Sequence, residues 1–178
     1  MPAASVFAAK LNEQIANEFA AHQQYVACAV HYESETLPQL AAFFYRQALE
    51  ERGHAMMMIQ YLLDTSSEVA VPGISAPSSA FADVVEPIAL ALEQEKRVSE
   101  QINGLAATAR QDGDYSAEQF MQWFIKEQIE EVATMSDLLN VARRSSERVA
   151  EIEDFLAREH PGDEGPDPAA PRAAGSAG

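Results

Sequence analysis

Cysteine is nearly absent from this chain of 178 residues, because Cys28 is the only one. A single cysteine excludes an intrachain disulfide framework, a CxxC metal knuckle and an iron–sulfur cluster held by several thiolates. No stretch approaches the roughly 18 apolar residues of a membrane-spanning helix, and MPAASVFAAK lacks the charged-then-apolar pattern of a secretory signal. These absences predict a cytoplasmic protein with no membrane partner.

Basic residues are also scarce. The chain has 12 Lys and Arg against 28 Asp and Glu, and its formal net charge is -16. This balance argues against a nucleic-acid partner, whose phosphates require Lys and Arg. An acidic surface either attracts cations or serves solubility, and charge alone does not separate the two.

Long stretches of the chain carry apolar residues at steps of three and four, the period of an amphipathic helix. Ser5 is a predicted N-cap for the first helix, and Ser116 with Gln119 for the fourth. We predict one all-α domain over residues 5–159, followed by a flexible, disordered tail at 160–178 that is rich in Pro, Gly and Ala. The predicted helices span about 5–33, 37–64, 83–110, 115–144 and 147–159.

The connection lengths constrain the topology. Short loops join helices one to two and three to four, so each of these pairs should be antiparallel. Residues 65–82 hold Pro and Gly, lack a helical period, and can run the length of the molecule. The prediction is a four-helix bundle with a long crossover between helices two and three, and a short fifth helix.

Each of the four apolar stripes is interrupted at mid-length by polar residues. Carboxylates that converge in one core repel each other and cost several kcal/mol each when unpaired, and multivalent cations remove that cost. The interrupting residues are Glu18, Glu51 with His54, Glu95, and Gln128 with Glu131.

The spacing of these residues repeats between the two halves. Glu18 to Glu51 (51 − 18 = 33) and Glu95 to Gln128 (128 − 95 = 33) are equal intervals. Di-iron carboxylate bundles use one Glu from each of two helices and Glu-x-x-His from the other two, but here the second motif is QxxE. We therefore predict two unlike metal positions, and the ligand types favour iron or manganese. The first would use Glu18, Glu51 and His54, and the second Glu51 as a bridge with Glu95 and Glu131.

Further residues lie beside these stripes. Tyr25 is interpreted as a hydrogen-bond partner of a ligating carboxylate, as an electron donor or as a packing residue. His22 is interpreted as an extra ligand or as a hydrogen-bonded non-ligand, and Trp123 as a packing residue. Three carboxylates form either a third, weaker iron position or a solvated face: Glu50, Glu127 and Glu130.

Over about residues 5–159, the chain resembles a bacterial non-haem ferritin of the actinobacterial type. The stretches that carry this resemblance are LNEQIANEFAAHQQYVA, QALEERGHAMMM, LALEQEKRVSEQIN and FMQWFIKEQIEEVATM. The resemblance implies a ferroxidase centre with Glu18, Glu51 and His54 at iron one and Glu51, Glu95 and Glu131 at iron two. It places Gln128 beside iron two, matches Tyr25 to the family's tyrosine near the centre, and implies a third site of Glu50, Glu127, Glu130 and Glu131.

The resemblance also implies a function. Such a protein stores iron, oxidising Fe(II) to Fe(III) with O2 or H2O2 and keeping the ferric mineral inside a hollow shell of 24 identical subunits. The fifth helix would lie near the fourfold axes of that shell.

Two departures bear on these expectations. Haem-containing bacterioferritins keep ExxH on the fourth helix and have their haem-ligating Met directly after the helix-two Glu, where this chain has Arg52. We therefore predict no haem. Glu118 and Met121 stand where animal ferritins line a threefold channel with two carboxylates, which leaves the path of iron into the shell open.

Three other classes of protein are alternatives. A rubrerythrin-like peroxidase uses the same centre but usually adds a CxxC iron domain, which one cysteine cannot build. A DNA-protecting miniferritin places its site between subunits and often has a basic arm. A purely structural bundle would be as stable without metal as with it.

Overall fold

The computed structural model describes residues 5–162 and 165–176 and contains five α-helices. The helices are α1 (Val6–Ser34), α2 (Pro38–Asp64), α3 (Glu86–Gln111), α4 (Tyr115–Arg144) and α5 (Val149–Glu159). No β-strand occurs among the described residues, and the all-α prediction is confirmed. None of the helices in this part of the chain has the length and apolar character needed to cross a bilayer.

Side chains cap the starts of α1 and α4. The hydroxyl of Ser5 accepts a hydrogen bond of 3.0 Å from the N–H three residues later, as predicted. At α4 the cap is Asp114 rather than the predicted Ser116, and its carboxylate accepts a 3.0 Å bond in the same way. Gly113 turns the chain at φ 69, a conformation that glycine adopts without steric cost, and so places Asp114 at the helix start.

Helix α3 begins later than the predicted residue 83 because Asp83 caps it from outside. The Asp83 carboxylate accepts hydrogen bonds from the N–H groups of Val85 and Glu86, at 2.8 and 2.9 Å. Pro87 lies in the first turn, where a helix needs no N–H donor. Helix α5 likewise begins at Val149 rather than 147, since a turn closed by a 2.8 Å bond from the Arg148 N–H to the Ser145 carbonyl precedes it.

The first two helices form an antiparallel hairpin. The ring of Phe7 at the start of α1 lies 6.0 Å from that of Tyr61 near the end of α2. At the opposite end, the Tyr45 hydroxyl donates a 2.5 Å hydrogen bond to Glu33. A second antiparallel hairpin is formed by α3 and α4, in which Arg110 pairs with Glu118 across the turn.

Polar side chains of α1 hold the crossover, residues 65–85, along the length of that helix. The amide of Asn12 bonds the start of the crossover, that of Gln24 its middle, and the hydroxyl of Tyr32 its end. Their backbone partners are the Glu68 carbonyl, the Ala70 N–H, both polar groups of Ser78, and the Val84 carbonyl. Because the crossover follows α1 from its start to its end, α3 runs antiparallel to α1 and parallel to α2, the predicted topology.

The apolar core is divided into two clusters by a polar layer. One cluster contains Tyr32, Phe44 and Leu138, and the other contains Leu11, Met58 and Ile102. The polar residues of the four stripes lie between the clusters, at mid-length of the bundle. The fold thus places every predicted core ligand in one layer.

The described part of the tail has no helix or strand and lies along α2 and α4. The Arg46 guanidinium donates a 2.9 Å hydrogen bond to the His160 carbonyl. The Trp123 indole N–H donates to Asp167, and the Ala174 N–H donates to the Met56 carbonyl, both at 2.9 Å. The flexibility of residues 160–178 stays a prediction, and 163–164 and 177–178 lie outside the described residues.

Candidate metal centre

Six polar side chains occupy the layer between the two apolar clusters, and each is exposed by 5% or less. They project inward because each replaces an apolar residue within its helix's own stripe. They are Glu18 on α1, Glu51 and His54 on α2, Glu95 on α3, and Gln128 and Glu131 on α4.

Three of these side chains converge. Glu18, Glu51 and His54 each offer one ligand atom, and these atoms lie within 4.8 Å of one another. His54 Nδ1 is 3.6 Å from Glu18 Oε2 and 3.5 Å from Glu51 Oε2. These contacts are longer than hydrogen bonds, so they join charges without satisfying the carboxylate oxygens.

The unsatisfied oxygens fit a cation. Glu18 Oε2 and both oxygens of Glu51 are buried and have no hydrogen-bond partner. A buried carboxylate in this condition costs several kcal/mol unless it is paired, protonated or bound to a metal. Carboxylate oxygens with one imidazole nitrogen suit iron better than structural zinc or copper.

Burial and the neighbouring charges shift the pKa of each of these three side chains. Burial, and then the charge of Glu95, raises the pKa of Glu51 well above its ordinary value. Burial opposes the charge of His54, but Glu18 and Glu51 raise the pKa of His54 well above its ordinary value. Burial likewise opposes ionisation of Glu18, but contacts with His54, Glu51 and Gln14 lower the pKa of Glu18 below its ordinary value. A binding cation would therefore displace protons from Glu51 and His54.

The ligands predicted for the second position are held differently. Glu95 Oε1 accepts a hydrogen bond from the Tyr25 hydroxyl, and Glu95 Oε2 accepts one from the Gln128 amide at 3.0 Å. Burial, and then Glu95, raises the pKa of Glu131 well above its ordinary value. Among the described residues, Glu51, Glu95 and Glu131 do not form a second group with three convergent ligand atoms. The second metal position therefore stays a prediction.

The hydrogen bonds of Tyr25 and His22 bear on the roles predicted for these two residues. Tyr25 donates to Glu95, so it is a hydrogen-bond partner of a predicted ligand as well as a buried core residue. His22 donates through Nδ1 to the Ala48 carbonyl at 2.6 Å. That bond leaves Nε2 of His22 able to ligate a metal, so both interpretations of His22 stay predictions.

The three flanking carboxylates lie near one another on the surface beside the centre. Glu50 and Glu130 are exposed, and Glu127 is half-buried. Burial raises the pKa of Glu127, with further contributions from Glu130, Glu50 and Asp167, while His54 opposes them. Glu50 accepts a 2.7 Å hydrogen bond from Gln47. Among the described residues, Glu50, Glu127 and Glu130 do not form a group of convergent ligand atoms, so the third iron position remains a prediction.

Sequence reasoning missed Gln14 and Asp167. The Gln14 amide donates a 2.8 Å hydrogen bond to Glu18 Oε1, and Asp167 accepts from Trp123, whose ring lies 5.6 Å from that of His54. Gln14 was detectable, because it lies four residues before Glu18 on the same helical face. Asp167 was not, because no periodicity relates the tail to a helix.

The family assignment follows from comparison with known proteins. The chain belongs to the ferritin family, whose ferritin-like domain matches residues 8–145. It is 54% identical over 171 residues to Ferritin BfrB of Mycolicibacterium smegmatis, which covers 96% of this chain and 94% of that protein. It is also 34% identical over 134 residues to a bacterial non-heme ferritin of Staphylococcus aureus, covering 75% and 81%.

Solved structures agree with this assignment. The open pore ferritin from Archaeoglobus fulgidus superimposes with a TM-score of 0.81 at 25% identity, over 85% of this chain and 93% of that one. The predicted ferritin-like fold and the resemblance to bacterial ferritins are both confirmed.

Proposed function

We propose that this chain is an iron-storage ferritin that oxidises Fe²⁺ at a two-metal centre within each bundle. The prediction of iron storage and ferroxidase activity agrees with the family assignment. The observation that carries the proposal is the buried group Glu18, Glu51 and His54, which contains three carboxylate oxygens without partners.

Iron is the substrate, and the side chains bind and orient it. Glu18 and His54 hold one Fe²⁺, Glu51 bridges to the next, and Glu95 and Glu131 complete the second position. Each of the two Fe²⁺ ions gives up one electron, and these two electrons with two protons reduce O2 to H2O2, or H2O2 to two waters. The buried layer between the apolar clusters excludes competing water. Fe³⁺ then leaves past Glu50, Glu127 and Glu130, which lie toward the surface from the centre.

The remaining expectations extend this proposal. The subunits assemble into a shell of 24, with α5 near the fourfold axes, and mineral collects inside. The shell works in the cytoplasm without haem, since Arg52 occupies the position of the haem-ligating methionine.

Aerobic loading of the purified protein with Fe²⁺ tests the proposal. The wild type is expected to form particles of shell mass that hold many iron atoms per subunit, measured by mass analysis and iron content. Glu51→Ala should oxidise Fe²⁺ at least about 10–100-fold more slowly, the loss typical when only a group that supports a ligand is removed, since it removes a ligand shared by both positions. Comparing O2 with H2O2 in the same assay identifies the faster oxidant.

The matched control is Glu100→Ala, which makes the same change at an exposed carboxylate of α3. It is expected to oxidise Fe²⁺ at the wild-type rate. Wild-type rates in Glu51→Ala, or particles that retain no iron, would contradict the proposed function.

A further inference from the structure

Gln14 is a buried polar residue whose contacts lead directly to the centre. It lies one turn before Glu18 on α1 and is only 2% exposed. Its Nε2 donates a 2.8 Å hydrogen bond to Glu18 Oε1. An amide buried in an apolar bundle carries a desolvation cost, and this bond to a charged acceptor offsets it.

A second residue determines the orientation of the Gln14 amide. Asn17 Nδ2 donates a 3.1 Å hydrogen bond to Gln14 Oε1. Since the oxygen of Gln14 accepts from Asn17, its nitrogen is the atom directed at Glu18. The three side chains form a relay along one face of α1, from half-buried Asn17 through Gln14 to the carboxylate.

This relay gives the two oxygens of Glu18 different environments. Oε1 is occupied by Gln14, whereas Oε2 has no hydrogen-bond partner and lies 3.6 Å from His54 Nδ1. Glu51, by contrast, has both oxygens without a partner. Glu18 is therefore held by one oxygen and presents the other to the centre.

We infer that Gln14 is a positioning residue for the first metal position: it fixes Glu18 so that Oε2 is the oxygen offered to the cation. The inference rests on the proposed function, because it concerns a ligand of the proposed centre. Groups that orient metal ligands in this way typically change metal affinity by about 10–100-fold when removed. The effect belongs to the first position, because Gln14 contacts Glu18 and neither Glu95 nor Glu131.

Gln14→Met tests this inference, since Met keeps the length of the side chain and removes the donor. Metal-free protein is titrated with Fe²⁺ under anaerobic conditions, and the affinities of the two positions are fitted separately. We expect the first-position affinity to fall about 10–100-fold while the second changes little. In aerobic assays, KM for Fe²⁺ should rise, and kcat should stay near the wild-type value at saturating Fe²⁺.

Two further variants make the result specific. Gln24→Met makes the same substitution on the same helix at a glutamine that is 9% exposed and bonds the crossover rather than the centre. It should lower thermal stability and leave the Fe²⁺ affinities unchanged. Asn17→Ala removes the partner of Gln14 and should weaken the first position in the same direction but by less, and it tests the relay if Gln14→Met fails to assemble.

The outcomes separate the inference from the proposed function. If the wild type binds no Fe²⁺ tightly, the proposed function fails. If the wild type binds two ions and Gln14→Met binds them with unchanged affinities, the inference is wrong. Equal losses in Gln14→Met and Gln24→Met would also overturn it, because they would indicate general destabilisation.

Discussion

The two helical hairpins contribute to the same polar layer in different ways. The α1–α2 hairpin supplies Glu18, Glu51 and His54, and three of its four carboxylate oxygens have no hydrogen-bond partner. The α3–α4 hairpin supplies Glu95, and both oxygens of Glu95 accept hydrogen bonds, from Tyr25 and from Gln128. The α1–α2 hairpin thus offers carboxylate oxygens that a cation can bind directly. In the α3–α4 hairpin, the oxygens of Glu95 are already hydrogen-bonded to protein donors.

Two donors produce this difference, the Tyr25 hydroxyl from α1 and the Gln128 amide of the QxxE motif in α4. ExxH in α2 places an imidazole beside carboxylates, whereas QxxE in α4 places an amide donor beside Glu95. An amide N–H satisfies a carboxylate in the metal-free protein but cannot ligate a metal through the same atom. We expect the first position to bind more tightly because it includes the His54 imidazole, a ligand type that the second position lacks. Each variant below alters one side of this comparison.

The largest effect is expected from Glu51→Gln. This substitution replaces a buried carboxylate that has no partner with a neutral amide of similar size. It should raise the stability of the metal-free protein by about 1–3 kcal/mol at neutral pH and abolish the stabilisation that metal gives the wild type. Thermal unfolding with and without Zn²⁺ measures both, and Glu100→Gln provides an exposed control.

The same variant has a defined pH signature. Burial and Glu95 raise the pKa of Glu51 above the ordinary 4.5, so the folded protein holds a proton that the unfolded chain releases. Stability of the metal-free wild type should therefore fall as pH rises above 4.5 through the raised pKa of Glu51. Glu51→Gln should show a shallower fall, and an identical pH profile would count against an unpaired Glu51.

A smaller effect is expected from Gln128→Met, which removes the 3.0 Å bond to Glu95 Oε2. Glu95 then keeps only the Tyr25 hydroxyl as a donor. The second-position affinity for Fe²⁺ should fall about tenfold, with the first position unchanged, in anaerobic titration. A loss confined to the first position would reverse the roles we assign to the two hairpins.

The smallest effect is expected from His22→Gln. His22 bonds the Ala48 carbonyl, and Gln retains a donor for that bond. The number of tightly bound Fe²⁺ ions per subunit should remain as in the wild type. Loss of one ion would instead make His22 a ligand and give the α1–α2 hairpin a second imidazole.

Sequence periodicity was sufficient to predict the helices and the buried polar layer between the two apolar clusters. Glu18, Glu51, Glu95 and Glu131 stand in apolar stripes, and a helix can only direct such residues inward. Periodicity does not predict which groups donate hydrogen bonds to which. For that reason it predicts neither the bond from Gln14 to Glu18 nor the two hydrogen bonds that Glu95 accepts. The cap at Asp114 was missed because Ser116 is an equally good capping residue by type, and only the turn at Gly113 decides between them.

The attachment of the crossover to α1 has a consequence for protein engineering. Asn12 and Gln24 bond the backbone near Ala70 and Ser78, and the segment between those two points is irregular and largely exposed. A peptide inserted within residues 71–77 would lengthen the loop between the two attachment points and leave the hydrogen bonds of Asn12 and Gln24 intact. The same peptide inserted at Ser78 would break the hydrogen bonds between Gln24 and the crossover backbone. This interval is therefore the place on the subunit where foreign sequence should be accepted with the least disturbance to the bundle.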